Sequence, residues 1–295
     1  MIGFNLNTTR RHFIEVLAEQ FPQREAEQLM RILLEDLFGI DRKRQLMEPE
    51  LRIDECQYAL LESAVKRLVE GVPVQFVTGK AWFDGLLFEV DESVLIPRPE
   101  TEELVQKVAV ELEQRLKEEP YFDRPLRIWD VGTGSGCVAV ALAKRFPVAD
   151  VKAFDVSEKA LETASRNAIN NKVKVDFVCD DVLHPHSEIW HQPVDLVVSN
   201  PPYIRESEKI SMERNVLDYE PHTALFVSDD DPLLFYRQIL NLAQPQLKPH
   251  GVVWFEINEA MGQEMIALGQ SMGYEGVVYA DYDGKPRFAQ FTPRK

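Results

Sequence analysis

The amino-acid sequence predicts an α/β protein with a doubly wound, mostly parallel sheet and a small helical domain before it. From residue 126 onward, short apolar stretches typical of buried strands alternate with helical stretches, which is the pattern of βαβ units. A glycine-rich loop lies between the first of these strands and its helix. The first 72 residues carry only helical periodicity. The 295-residue length allows one large domain and a smaller one, or two domains of similar size, each able to bury a core.

Residues 1–72 are predicted to be helical. Apolar residues around Phe13 recur at the three-to-four residue spacing of a buried helix face. Thr8 or Thr9 is predicted to cap the first helix, and Pro22 to begin the second. A helical domain beside an enzyme domain often reads the substrate, and we predict that role for this region.

Residues 73–96 are predicted to form a β-hairpin that links the helical domain to the rest of the chain. The segments Gln75–Val77, Trp82–Phe83 and Leu86–Val90 are rich in β-prone residues. Asp84–Gly85 is a typical hairpin turn.

The third region, residues 97–295, carries the predicted parallel sheet. A helix is expected to begin at Pro99 or Thr101, with acidic residues in its first turn, and to end before a loop at Pro120–Pro125. The later elements are predicted strands at 126–131, 151–155, 173–178, 194–198 and 251–257, helices at 138–145, 159–170, 232–242 and 261–272, and a terminal hairpin of 277–279 with 289–291.

The charge balance restricts the kind of partner. The chain has 33 Lys and Arg residues against 49 Asp and Glu residues, a formal net charge of −16, and 45% of its residues are hydrophobic. This composition is typical of a globular protein and not of a disordered one. Because affinity for a nucleic-acid backbone comes from cationic side chains, we expect no direct nucleic-acid binding.

Cysteine usage and apolar stretches bear on location and metal chemistry. Cys56, Cys137 and Cys179 are far apart and form no C-x-x-C pair, so we expect neither a disulfide framework nor a thiolate zinc site. Charged residues interrupt the N-terminal stretch, and no apolar run of about 20 residues occurs. We therefore expect no signal peptide, no membrane span, no metal site and a cytoplasmic location.

The glycine loop indicates a nucleoside cofactor. Its residues are Gly132, Thr133, Gly134, Ser135 and Gly136. Asp155, which ends the second strand 19 residues after the loop, can accept hydrogen bonds from vicinal ribose hydroxyls. The spacing G-x-G-x-G is tighter than the dinucleotide fingerprint and cradles no pyrophosphate. A compact loop of this kind suits a nucleoside that carries an amino-acid tail, namely S-adenosyl-L-methionine.

The end of the third strand carries a further set of candidate cofactor contacts. Asp180 or Asp181 could accept a hydrogen bond from an adenine amino group, and Val182 offers backbone groups and an apolar face. For Asp180 the alternative is a solvated acidic residue that only ends the strand. The carboxyl ends of parallel strands meet in one crevice, so these residues can share one ligand with the glycine loop.

The tetrapeptide Asn200, Pro201, Pro202 and Tyr203 follows directly on the fourth strand. Two prolines stiffen the chain and leave nearby carbonyls free. The Oδ1 atom of Asn200 and the carbonyl of Pro201 can each accept one hydrogen of a planar NH₂ group and aim its nitrogen at an activated methyl. The ring of Tyr203 can pack on the planar substrate. We therefore predict Asn200, Pro201 and Tyr203 as catalytic residues of an amine or amide methyltransferase.

The sequence resembles the HemK/PrmC-type glutamine methyltransferases that act on peptide chain release factors. The segments that carry the resemblance are Ile96–Glu102, Asp130–Gly136, Ser199–Ile204, Tyr219–Pro221, Ala224–Phe226 and Asp281–Arg287. The Asn-Pro-Pro-Tyr motif is shared with adenine amino-methyltransferases, whereas the first of these segments narrows the likeness to protein glutamine. The resemblance implies a Rossmann-like class I methyltransferase sheet, a methyltransferase domain at 97–295, and transfer of a methyl to the glutamine of a Gly-Gly-Gln motif in a release factor.

The resemblance also implies roles for particular residues. The loop at 132–136 would meet the cofactor together with Asp155, Asp181, Val182 and Asn200, while Asn200–Tyr203 would hold the glutamine. The chain departs from the family at two positions, since Val182 stands where an aromatic residue is common and Asn258 where glycine is common.

Other readings remain open at the level of sequence. The chain could act on a glutamine of a ribosomal protein, or on an adenine amino group of DNA or RNA, although the acidic charge weighs against the latter. A non-catalytic adaptor would have no use for the intact amine-binding tetrapeptide. Arg98 could contact the substrate or the cofactor, or form an ion pair.

Overall fold

The fold is described from a computed structural model that covers residues 3–118 and 125–294. The helices, in chain order, are α1 Leu6–Leu17, α2 Gln23–Phe38, α3 Arg42–Met47, α4 Glu55–Val69, α5 Val74–Thr78, α6 Pro99–Glu118, α7 Cys137–Arg145, α8 Glu158–Asn170, α9 Arg214–Tyr219, α10 His222–Leu225, α11 Leu234–Ala243 and α12 Gly262–Ser271. The predicted Pro120–Pro125 loop lies outside the described residues except for Pro125.

Most strands of the chain belong to one sheet. The strands, in chain order, are β1 Phe4–Asn5, β2 Arg52–Ile53, β3 Lys80–Phe83, β4 Leu86–Glu89, β5 Arg127–Val131, β6 Asp150–Asp155, β7 Asp176–Cys179, β8 Val194–Ser199, β9 Ile204–Arg205, β10 Phe226–Val227, β11 Leu247–Glu256, β12 Tyr274–Ala280 and β13 Pro286–Pro293.

The chain divides into two compact units. The first comprises the residues up to Lys80 together with Glu213–Tyr219, and the second comprises Ala81–Met212 and Glu220–Lys295. The predicted division at residues 72 and 96 stays a prediction.

The first unit is mainly helical, as predicted, but β1 and β2 pair as a short antiparallel sheet that was not predicted. The apolar faces of α1, α2 and α4 meet in one core, which includes Phe13, Leu33 and Leu61. The short helix α9 belongs to this unit, and the hydroxyl of Tyr219 donates to the carbonyl of Glu70 at 3.1 Å. The first unit therefore recruits a segment that lies far along the chain.

Two local predictions in this unit are wrong. The N-cap of α1 is Asn5 and not Thr8 or Thr9, because Asn5 has the extended backbone of a cap and its side chain accepts from the Thr8 N–H at 3.1 Å. Gln75–Val77 is helical and not part of a β-hairpin.

The second unit contains a seven-stranded sheet with the order β12-β13-β11-β8-β5-β6-β7. The neighbouring strands from β11 to β7 pair in parallel, and β13 runs antiparallel between β11 and β12. The chain runs outward from β5 to β7 and then restarts at β8 on the other side of β5. This reversal creates a switch point at the carboxyl ends of β5 and β8, the position where open α/β sheets bind ligands. The predicted doubly wound sheet is confirmed.

Each face of the sheet is covered by helices. Along β5, Ile128 faces a core formed with α6 and α7, whereas its neighbour Trp129 faces a core formed with α11 and α12. Successive strand residues point to opposite faces, so a strand that is buried on both sides reads as a continuous apolar run. The predicted hairpin at Asp84–Gly85 also forms, between β3 and β4.

Candidate active site

The sheet register brings the predicted site residues to one edge. Val131, the last residue of β5, lies beside Phe154 of β6 and beside Ser199 of β8. The hydroxyl of Ser199 also donates to the carbonyl of Val131 at 2.6 Å. The next positions along these strands are Asn200 after β8, Gly132 after β5 and Asp155 at the end of β6, in this order across the sheet. Because neighbouring strands lie about 4.8 Å apart, these residues form one local group.

The glycines of the loop serve two different needs. Gly132, Gly134 and Gly136 have φ values of 75°, 53° and 80°, a region that disfavours other residues. A Cβ built on Gly132 or Gly134 would meet nothing within 4 Å, whereas one on Gly136 would lie 2.9 Å from the Cβ of Ala164. The first two glycines thus leave open space beside the backbone, and the third allows α8 to pack against the loop.

Asp155 is tied to the loop that it faces. Its Oδ2 atom accepts from the N–H of Gly134 and its Oδ1 atom from the N–H of Ser157, both at 2.9 Å. Burial raises the pKa of Asp155, and these hydrogen bonds oppose that shift. Each carboxylate oxygen has a further lone pair, so the group can still accept from a diol.

The side chains of the polar loop residues are buried. Thr133 is 5% exposed and donates through its hydroxyl to Asp130 Oδ2 at 2.6 Å. Ser135 is 2% exposed, and its carbonyl accepts from Asn167 Nδ2 at 2.9 Å. Thr133 is also held through its backbone, because its N–H donates to the carbonyl of Phe154 at 2.9 Å and its carbonyl accepts from the N–H of Gly136 at 2.8 Å.

Asp130 lies beneath the loop and is itself buried. Its Oδ2 atom also accepts from the N–H of Ala139 at 3.0 Å. Burial raises the pKa of Asp130 to about 7, against the effect of the hydrogen bonds from Thr133 and Ala139.

Asp180 fixes the loop that follows β7. Its buried carboxylate accepts from the N–H of Ser187 at 2.8 Å and from the indole N–H of Trp190 at 2.7 Å. Burial alone would raise the pKa of Asp180, but these hydrogen bonds outweigh it and lower the pKa. The carboxylate is used inside the protein, so the structure favours a structural role for this residue.

Asp181 and Val182 are more accessible than Asp180. The carboxylate of Asp181 accepts from the N–H of Leu183 and contacts Nδ1 of His184, both at 2.9 Å. Val182 is half-buried and packs against the core of Trp129. Both residues follow the strand next to Asp155, as predicted, and their contact with a cofactor stays a prediction.

Hydrogen bonds to other residues of the protein hold the Asn200–Tyr203 corner in place. The Nδ2 atom of Asn200 donates to the hydroxyl oxygen of Thr101 at 3.0 Å. The hydroxyl of Tyr203 donates to Oε1 of Glu256 at 2.9 Å, and Pro201 is buried. The two polar side chains of the corner are therefore held from within the protein.

Thr101 and Glu256 complete this network and were not predicted as site residues. The hydroxyl of Thr101 donates to Oε2 of Glu256 at 2.7 Å, and Glu256 is 1% exposed. Burial raises the pKa of Glu256, while the hydrogen bonds from Thr101 and Tyr203 and the charge of Arg287 oppose it. The signal in the sequence was a carboxylate directly after the apolar run Val252–Phe255.

Two other residues of the predicted motifs also form contacts with other residues of the protein. Asn258 donates through Nδ2 to Glu208 at 3.2 Å and to the carbonyl of Tyr203 at 3.4 Å. Arg98 forms an ion pair with the buried Glu220. Of the alternatives for Arg98, the ion pair is the one that the structure contains.

In the described ranges, 3–118 and 125–294, no helix has the length and apolar character needed to cross a membrane. Within the same ranges, no three or more His, Cys, Asp or Glu residues are grouped in a way that could hold a metal ion.

Comparison with known proteins identifies the family. The model "PrmC N-terminal domain" matches residues 9–79, and the model "Methyltransferase small domain" matches residues 111–218. A release factor glutamine methyltransferase of Flavobacterium psychrophilum is 42% identical over 90% of this chain and 91% of its own length. One of Bacteroides thetaiotaomicron is 40% identical over 96% of this chain and 98% of its own length.

Solved structures support the fold. The catalytic domain of hMettl16, in complex with the MAT2A 3′UTR hairpin 6, superimposes with a TM-score of 0.53 at 14% identity, over 82% of this chain and 83% of that one. At this identity the likeness concerns the fold alone. The full-length similarity to the bacterial relatives shows that the chain belongs to the release factor glutamine methyltransferase family.

Proposed function

We propose that this chain transfers a methyl group from S-adenosyl-L-methionine to the side-chain amide nitrogen of a protein glutamine, the one in the Gly-Gly-Gln motif of peptide chain release factors. The observation that supports this most is the sheet register, in which the Asn200–Tyr203 corner follows β8 directly beside the glycine loop that follows β5. An acceptor pair for an NH₂ group is thereby adjacent to a loop with open space beside its backbone.

The residues around the loop fit the proposed cofactor. Gly132 and Gly134 leave room for a ligand to approach the main chain, and Asp155 keeps lone pairs for the ribose hydroxyls. Asp181 and Val182 are available to the adenine, with Val182 supplying an aliphatic face. When bound, S-adenosyl-L-methionine supplies a methyl carbon made electrophilic by its sulfonium.

The corner would position the reacting nitrogen. Asn200 Oδ1 and the Pro201 carbonyl each accept one amide hydrogen, Pro202 keeps the backbone rigid, and the Tyr203 ring packs beside the glutamine. The cofactor would supply the methyl group to the nitrogen that Asn200 and Pro201 hold, and that nitrogen would release a proton to water. No strong general base is needed, since the proton becomes acidic only once the new bond forms.

The nature of the substrate rests on the relatives. The Flavobacterium and Bacteroides proteins are named for release factor glutamine, and they align with this chain over more than nine tenths of their length. We extend that activity to this chain. We infer that the helical domain at residues 1–72 recognises the substrate and that the protein acts in the cytoplasm, where translation takes place. A ribosomal-protein glutamine is the second candidate.

The test is transfer of labelled methyl to a purified bacterial release factor, followed by mass spectrometry of the modified peptide. We expect one methyl on the glutamine of Gly-Gly-Gln and none when that glutamine is replaced by alanine. Label found instead on a ribosomal protein, or on adenine of a DNA or RNA oligonucleotide, contradicts the proposal.

Asn200 provides the matched test in the enzyme. We expect Asn200→Ala and Asn200→Asp to lower kcat by roughly 100- to 1000-fold, the usual effect of removing a group that positions the reacting atoms. Asn170→Ala, an exposed asparagine on α8, is the control and should retain wild-type turnover. Wild-type rates in either Asn200 variant would exclude the proposed mechanism.

A further inference from the structure

The two ends of the Asn200 amide are not equivalent for catalysis. The Oδ1 atom can only accept a hydrogen bond and the Nδ2 atom can only donate one. A substrate NH₂ group needs the oxygen, because an amide turned around would set N–H against N–H. Something in the protein must therefore decide which end faces the substrate.

Glu256 starts a chain of hydrogen bonds with a defined direction. Both of its carboxyl oxygens accept hydrogen bonds, Oε2 from the Thr101 hydroxyl and Oε1 from the Tyr203 hydroxyl. Burial raises the pKa of Glu256, whereas the two hydroxyl donors and the nearby charge of Arg287 favour the ionised form.

The hydrogen bond from Thr101 to Glu256 determines which end of the Asn200 amide faces Thr101. A hydroxyl has one hydrogen, and Thr101 gives it to Glu256, so toward Asn200 it can only accept. The Nδ2 atom of Asn200 is accordingly the end that lies 3.0 Å from the Thr101 oxygen. The Oδ1 atom is the end that remains for the substrate.

The helix and the strand that carry Thr101 and Glu256 are packed into the protein core. Thr101 is 3% exposed and lies in the first turn of α6, whose next turns bury Leu104 and Val105 in the core. Glu256 ends β11, an inner strand of the sheet, and the Tyr236 hydroxyl donates to its backbone carbonyl at 3.1 Å. Neither side chain needs to touch the substrate to act.

We propose that Thr101 and Glu256 are positioning residues that fix the orientation of the Asn200 amide, so that its oxygen and not its nitrogen faces the substrate NH₂ group. This inference rests on the proposed glutamine methylation. It extends the site from the loop that holds the substrate to two buried residues on other elements.

Two substitutions at Thr101 separate the hydroxyl from simple packing. Thr101→Val keeps the volume and removes the hydroxyl, whereas Thr101→Ser keeps the hydroxyl and removes a methyl. We expect Thr101→Val to lower kcat on the release factor about tenfold, the effect of one lost hydrogen bond, with the calorimetric affinity for S-adenosyl-L-methionine within about twofold of wild type. Thr101→Ser should retain at least about half of the wild-type kcat.

Thr292→Val in β13 is the matched control, because it makes the same exchange in the sheet away from the corner. Thermal unfolding verifies that each variant is folded. Losses that are equal in the valine and serine variants, or larger in serine, would show that packing matters and would overturn the inference.

A double-variant cycle tests whether Thr101 acts through Asn200. Under single-turnover conditions with enzyme in excess, Thr101→Val should add no more than about a twofold loss to Asn200→Ala. An undiminished tenfold loss in that background would contradict the positioning role. A wild-type enzyme that leaves the release factor unmethylated refutes the proposed function itself, whereas a fully active Thr101→Val enzyme refutes only the inference.

Discussion

Asp155 shows that a carboxylate can support a loop and remain available to a ligand. It accepts the N–H groups of Gly134 and Ser157 and keeps a lone pair on each oxygen. We predict that Asp155→Ala weakens binding of S-adenosyl-L-methionine by about one to two powers of ten, since two charge-assisted hydrogen bonds to the ribose are lost. Isothermal titration calorimetry measures this directly. Glu158→Ala, an exposed carboxylate three residues later, is the control; unchanged affinity in Asp155→Ala would count against the ribose contact.

Asp130 leads to a prediction about pH. Burial raises its pKa from 3.8 to about 7, so between those values the folded chain holds a proton that the unfolded chain has released. The contribution of Asp130 to the free energy of unfolding is therefore largest at low pH, and it decreases as the pH rises toward 7. An asparagine at this position cannot ionise. In the wild type both Thr133 and Ala139 donate to the same oxygen, Oδ2 of Asp130, so the single amide oxygen of asparagine can accept from both.

We accordingly predict that Asp130→Asn is more stable than wild type at pH 8, by about 2–4 kcal/mol, from roughly three pKa units of lost desolvation penalty. The advantage should shrink steadily between pH 7 and pH 5. Urea unfolding of both proteins at pH 5, 6.5 and 8 measures the difference. A difference that is the same at all three values would show that ionisation of Asp130 is not its source.

The sequence could predict those site residues that a local pattern reveals. The glycine loop, Asp155 and the Asn200–Tyr203 corner each stand out from their neighbours. Thr101 and Glu256 do not, because their meaning depends on a hydrogen bond between residues 155 positions apart. Such a contact follows from the order of the strands, which no local pattern contains.

At the scale of elements, a single buried asparagine joins the β3–β4 hairpin to the glycine loop. Asn167 of α8 is fully buried, and its Oδ1 atom accepts from the N–H of Glu89 at 2.7 Å. Its Nδ2 atom donates to the carbonyls of Glu89 and Ser135, both at 2.9 Å. The side chain thereby satisfies three backbone groups from two separate segments.

We predict that Asn167→Leu lowers the free energy of unfolding by about 3–5 kcal/mol, because it leaves three backbone groups without this partner. Amide hydrogen exchange at Glu89 should accelerate together with this loss. Asn170→Ala removes a hydrogen bond to the exposed side chain of the same Glu89, and it should change stability by less than about 0.5 kcal/mol. Equal effects of the two changes would mean that burial of Asn167 is unimportant.

Element prediction succeeded where periodicity was strong and failed where it was short. The alternation of apolar runs and helical stripes predicted β5–β8, β11–β13, α7, α8, α11 and α12, whereas the short helices α9 and α10 were not predicted. Gln75–Val77 was assigned to a hairpin from its β-prone residues, but Pro73 before it and the left-handed Gly79 after it delimit one helical turn that buries Phe76. The third strand begins at Asp176, later than the predicted Val173. The short β9–β10 pair was not predicted, since each strand has only two residues.

At the scale of the whole molecule, the fold alone does not select the substrate. A similar fold occurs in the hMettl16 catalytic domain, whose crystal structure is a complex with the MAT2A 3′UTR hairpin 6. Class I methyltransferase architecture is thus compatible with nucleic acid and with protein, and function must be argued from sites and charge. For this chain it is the family that indicates glutamine, and the remaining global property is its net charge of −16.

That charge predicts how the protein behaves toward nucleic acid. Non-specific binding depends on cations that displace the counterions of the phosphates, and a strongly acidic surface repels the backbone. We expect a dissociation constant weaker than about 10⁻⁴ M for a fluorescently labelled 20-base-pair duplex at 0.15 M salt, at or beyond the weak end of ordinary non-specific binding. Anisotropy titration measures it, with a second series at 10 mM salt to expose any local basic patch. Saturable binding below about 10 μM at 0.15 M salt would return adenine methylation to consideration and would weaken the argument from charge.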